Sequence, residues 1–186
     1  MNPLPSALLL GLTAALCAAH DAIPDGVEFL RAYMPAQDRE TITEERLDRE
    51  VRLALDARSQ FPWAGKVPWE LYENNVLPYA VVNEPRDEWR EQFHNLFAPL
   101  VSACKTGREA ALTIASCIQK TLNVRYSTER RIPHQGVKES LQSGKVSCTG
   151  QSILLVCALR SVGIPARMAG VLTWNLSLIH ISEPTR

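Results

Sequence analysis

The alternation of apolar and polar positions divides the chain into stretches of different texture. An apolar run from Ala7 to Ala19 opens it, followed by polar His20-Asp21. In TITEERLDREVRLALDARSQF, the residues Leu47, Val51, Leu55 and Phe61 share one face, with Thr43 standing before them as an N-cap, which predicts an amphipathic helix that docks on a core. The prolines at 62, 68, 78 and 85 then restrict the next stretch to short helical pieces and turns. Its aromatics, Trp63, Trp69, Tyr72, Tyr79, Trp89, Phe93 and Phe97, are expected to pack internally. VSACKTGREAALTIASCIQKTLNVRYS reads as one helix and a short extended piece, and TERRIPHQGVKESLQSGK as a polar connector. Ile153 to Leu159 is apolar almost all round. Ser147 is placed to cap that segment, Gly163 to end it and Pro165 to stop its continuation, which predicts a buried helix. MAGVLTW follows as a strand, and Ile181-Ser182-Glu183-Pro184 is expected to break any further one.

Composition narrows the class. The 186 residues carry 20 Lys+Arg against 20 Asp+Glu, so there is no basic field for nucleic acid. The Ala7–Ala19 run is too short to span a bilayer and reads as a signal peptide over residues 1–19, which implies an exported protein, periplasmic or extracellular, with no stable membrane span after cleavage. Lipid attachment at Cys17 is the alternative. Cys104 and Cys117, read within one helix, lie about 20 Å apart at 1.5 Å per residue and cannot pair. No CxxC or HxxxH spacing occurs, so neither a metal nor another cofactor is expected.

Cys148 opens the buried helix, and that position has chemical meaning. An unperturbed thiol is only a few per cent thiolate at neutral pH, and the thiolate is the nucleophile. A helix N-terminus offers partial positive charge and free N–H groups, which stabilise a thiolate and can also hold the oxyanion of a tetrahedral intermediate. Thr149 and Gly150 keep bulk away from the sulfur. Cys104, Cys117 and Cys157 read as structural thiols. Gln135 is a candidate upstream oxyanion donor, His134 a rim histidine, His94 a helix-face residue, and Arg167 a strand-positioning residue.

The run SCTGQSILLVCALRSVGIPAR resembles the transglutaminase-like superfamily in its secreted bacterial branch, and the resemblance extends upstream through YSTERRIPHQ and VLPYAVVNEPRDEWREQF to about residue 26. It implies an α+β, papain-like core whose buried central helix bears the Cys, preceded by a helical N-terminal arm. It makes Cys148 the nucleophile of acyl transfer at amide bonds, either protein crosslinking or peptide hydrolysis, with a thioester intermediate and a protein or peptide as substrate. It also implies a His on a following strand as general base and an Asp on the next strand to orient it.

The last eleven residues, LSLIHISEPTR, are one reading frame of the adapter used in transposase-based sequencing libraries. Residues 176–186 are therefore expected to be an adapter artefact, and His180, Glu183 and Arg186 to take no part in the mechanism. The expected organisation is signal peptide 1–19, helical arm 20–98, partial transglutaminase-like core 99–175, and artefact 176–186. On this reading the chain is C-terminally truncated, its sheet is incomplete, Ile153–Leu159 is left largely exposed, and the chain as written is inactive. The alternative is a non-catalytic binding or cell-envelope module on the same fold.

Overall fold

The computed structural model describes residues 23, 25–129, 131–132, 134–174 and 177–184, with backbone only beyond residue 170. The signal-peptide expectation lies outside the described residues. Among those residues no helix is long and apolar enough to cross a membrane.

The chain is helix-rich, with a small amount of sheet, and is compatible with the α+β class. Helix α1 covers residues 25–33, α2 is Ala36–Arg39, and α3 is Glu44–Gln60. The Thr43 side chain caps α3 by accepting from Arg46 N at 3.3 Å. The face of α3 that enters the core carries Leu47, Val51, Ala54 and Ala57, while Leu55 is only half-buried. A 3₁₀ turn, Ala64–Lys66, leads to α4, Trp69–Asn75, and a proline-bounded loop then reaches α5, Arg90–Val101. Trp63, Tyr72, Tyr79, Trp89, Phe93 and Phe97 are buried as expected, and Trp69 is half-buried.

The helix read from residue 101 begins later than expected. Helix α5 ends at Val101, and α6, Gly107–Thr121, begins afresh from Thr106. Thr106 Oγ1 accepts from Glu109 N at 3.2 Å while the Glu109 carboxylate accepts from Thr106 N at 3.3 Å, a reciprocal capping box. Cys104 therefore sits in the turn between helices and not in line with Cys117, and both are free thiols. The T-x-x-E spacing was visible in the sequence as a helix start.

Strand β1, Arg125–Tyr126, pairs in parallel with β2, Lys145–Val146; between them lies α7, Val137–Ser143. Helix α8, Cys148–Ser161, is followed by β3, Ala166–Trp174, which pairs antiparallel with β4, Ser177–Pro184. A strand over Ser177–Pro184 contradicts the expected break. Pro184 is the last residue of β4, opposite Ala166, where its missing N–H ends the strand without interrupting the ladder.

The exposure expected along α8 is also corrected. Ile153, Leu154, Val156, Cys157, Ala158 and Leu159 are buried, and Leu155 is half-buried. Much of the cover comes from upstream, where α3, α5, α6 and α7 contact α8, and the following strands β3 and β4 contact it as well. One hydrophobic cluster runs from Val27 to Ala166. Long-range hydrogen bonds stitch the same surfaces. Trp63 Nε1 donates to Val162 O at 2.9 Å, and the buried Arg160 guanidinium donates to the carbonyls of Asn75, Pro78, Ala80 and Ala166 at 2.7–3.0 Å. The loop before α5 is tied further by buried ion pairs, Arg90 to Glu50 at 2.8 Å and Arg86 to Asp38 at 2.9 Å.

Candidate active site

Three short elements deliver Cys148. Helix α7 ends on Gly144, whose φ of 63° is the left-handed conformation that closes a helix, with its N–H donating to Ser140 O at 3.1 Å. The reversal sends Lys145 and Val146 alongside β1, where Arg125 N donates to Gly144 O and Ser127 N to Val146 O, each at 2.9 Å. Ser147 then turns the chain into α8 from an extended conformation. Its Oγ accepts from Gly150 N at 3.2 Å and its carbonyl from Gln151 N at 2.8 Å.

Those bonds satisfy the third and fourth amides of the helix entrance. The Cys148 and Thr149 N–H groups keep no partner among the described residues. Cys148 itself is exposed, whereas Thr149 and Gly150 are buried beneath it. The small residue at 150 serves the packing below the thiol. A Cβ there would stand 3.3 Å from Gln135 Oε1 and 3.4 Å from Val146 Cβ.

Gln135 is only 2% exposed, and its carboxamide is turned to the backbone on both ends. Nε2 donates to Lys145 O at 3.1 Å, and Oε1 accepts from Ser147 N at 3.2 Å. The side chain thus bridges the two residues that flank Val146 and holds the cap from which Cys148 projects. Its Nε2 donor, expected from the sequence to face an oxyanion, is engaged by Lys145 O in this structure. Gln135→Leu should orphan a carbonyl and an N–H, costing about 2–3 kcal/mol of stability. It should also slow alkylation of Cys148 several-fold under conditions where the protein remains folded. Rescue of the alkylation rate by Gln135→Glu at a pH where that side chain is protonated, measured across a pH series, separates positioning from simple packing.

Of the other candidates, His94 is held away from the thiol. His94 Nδ1 lies 2.9 Å from Ser161 O, at the far end of α8, about 20 Å from Cys148 at 1.5 Å per residue. His134 is half-buried in the segment before α7, and Arg167 is exposed on β3. His180 stands opposite Gly170 in the β3–β4 ladder. Burial raises the Cys157 thiol well above its ordinary range, so it is no nucleophile at neutral pH. Among the described residues no cluster of His, Cys, Asp and Glu is placed to hold a metal ion.

Sequence reasoning missed Arg160 and Gln151. Arg160 is a lone charge closing an apolar helix, and burial lowers its pKa to about 10, which still leaves it protonated at neutral pH. Gln151 stands one turn beyond Cys148 and lines the same cleft of about 520 Å³ between α6 and α8. The polar i, i+3 neighbour of a helix-opening cysteine was the available signal.

Comparison with curated proteins and with solved structures finds no match to this chain. Residues 94–180, from within α5 to within β4 and including Cys148, match the family model described as the transglutaminase-like superfamily.

Proposed function

We propose that the protein is a cysteine-dependent acyl-transfer enzyme acting at amide bonds of a protein or peptide, with Cys148 as nucleophile. The observation that carries this reading is the placement of an exposed thiol on the first turn of a buried, rigidly capped helix, beside two uncommitted amides and opening on a cleft. The family match over residues 94–180 supports it.

In the first step the Cys148 thiolate attacks the amide carbonyl, and the negative charge that develops on oxygen is received by the Cys148 and Thr149 N–H groups. Collapse forms the thioester, and the amide nitrogen leaves after taking a proton from a general acid. Water or a primary amine then attacks the thioester, giving hydrolysis or crosslinking, and the thiol is returned. Cys148 and the α8 entrance supply the nucleophile and the oxyanion site. The proton carrier is a histidine, which we place downstream of residue 175 in the natural gene, with residues 176–186 being adapter.

A second reading keeps His180 as that base. It lies 32 residues after Cys148, and the family match runs through it.

A long read of the source DNA across codon 175, from a library prepared without transposase adapters, separates the two. An open frame continuing into a His-bearing strand supports the first reading. A gene that encodes LSLIHISEPTR and then stops removes the adapter proposal and leaves His180 or a non-catalytic module. The protein from the natural gene is then incubated with a glutamine-containing peptide and a fluorescent primary amine. Amine incorporation or ammonia release should fall roughly 10⁴-fold or more on Cys148→Ala. Equal turnover by the Cys148→Ala variant would end the acyl-transfer proposal.

A further inference from the structure

The cleft at Cys148 has one wall from α6, with Ser116 and Gln119, and one from α8, with Gln151, Ser152 and Leu155. No charged side chain lines it among the described residues. That neutrality is selective in a chain of which 22% is charged and whose other described clefts are lined by several Glu, Asp, Arg or Lys residues. Gln151 follows Cys148 by one helical turn, which places both on one face of α8. The Gln151 Nε2 atom is buried without a hydrogen-bond partner among the described residues, although both ends of the Gln135 carboxamide are engaged close by. An unmet buried amide donor is costly, and a rotation of the half-buried Gln151 carboxamide would turn it to an acceptor in the cleft.

We propose that this cleft is the subsite for the chain flanking the reacting amide of the acyl donor. It takes an uncharged peptide segment, and Gln151 is the specificity-determining residue that hydrogen-bonds a carbonyl oxygen of that segment. The inference deepens the acyl-transfer reading and rests on it. Ile118, Val124 and Leu154 supply an apolar floor, so small neutral side chains lose water there without penalty. A Glu or Lys side chain would shed water against a wall offering no opposite charge.

The test uses the full chain and three chloroacetyl dipeptide amides, Ala-Ala, Glu-Glu and Lys-Lys. In each, the Cys148 sulfur displaces chloride from the same carbon. Rates are referred to iodoacetamide, which has no flanking chain, after subtraction of the Cys148→Ala background. The Ala-Ala reagent should alkylate Cys148 about five-fold faster than either charged reagent, with a rate that saturates. Gln151→Leu should lower the Ala-Ala rate relative to iodoacetamide about five-fold, and Gln151→Glu should turn the preference to Lys-Lys. Equal rates for the three reagents, or an unchanged ratio in Gln151→Leu, overturn the inference and leave the nucleophile standing. Failure of iodoacetamide to label Cys148 overturns the acyl-transfer reading and this inference together.

Discussion

Arg160→Met should destabilise the protein by about 3–5 kcal/mol, the largest effect expected of any single change outside Cys148. The guanidinium reaches four backbone carbonyls, at Asn75, Pro78, Ala80 and Ala166, with Nε shared between Asn75 and Ala166 at 3.0 and 2.9 Å. Methionine fills much of the volume but donates nothing. Each buried carbonyl left without a donor costs about 1–3 kcal/mol; Pro78 O keeps a second donor in Arg90 Nη2 at 3.3 Å, and Ala80 O, only partly buried, recovers part of its loss from water. Removal of a buried charge returns some of the loss, since desolvation already works against Arg160. With a urea slope of about 2 kcal/mol per molar, the midpoint should drop by about 2 M. A shift below about 0.5 M would show that the loop between α4 and α5 is held by packing alone.

The second large effect is expected at Gly163, immediately beyond the C-terminus of α8. Its φ of 72° suits glycine, and a Cβ there would stand 2.4 Å from the Ala64 Cβ. Gly163→Ala therefore meets two separate penalties. The left-handed backbone costs about 1–2 kcal/mol with a side chain, and the overlap costs about 1–3 kcal/mol more as Ala64 is pushed away. A double-mutant cycle distinguishes them. Ala64→Gly in the Gly163→Ala background should restore the overlap part, giving a coupling of about 1–2 kcal/mol, and leave the backbone part. Zero coupling in thermal or urea unfolding would mean that the two segments are not in contact in solution. The consequence for chemistry is direct, because the Ala64 turn and the Trp63 bond to Val162 fix one end of the helix whose other end carries Cys148.

Much of the local structure is legible in the residues. Thr43 caps α3 and Ser147 caps α8, each through a side-chain oxygen accepting from a backbone N–H three residues on. Gly163 ends α8 with a positive φ, as its position after the apolar run implies. The start of α6 is equally local, since the Thr106–Glu109 capping box marks it, whereas the apolar periodicity of AALTIASCI does not locate it. At α3 the same periodicity favours Leu55, whereas Ala54 is the fully buried residue and Leu55 only half-buried.

The identity of the nucleophile candidate, its place at a helix entrance and the caps that make the helix were determined by the sequence alone, since each depends on residues within a few positions of one another. The tertiary structure decided what surrounds that entrance. Gln135 bonds to Ser147 across 12 positions, Arg160 to Asn75 across 85, and Trp63 to Val162 across 99. Such contacts leave no periodic trace, because they depend on how whole elements meet and not on which face a residue occupies. The same reason explains why α8 was expected to lie bare. Its apolar surface declares that something must cover it, but only the packing of α3, α5 and α6 shows that much of the cover precedes it in the chain.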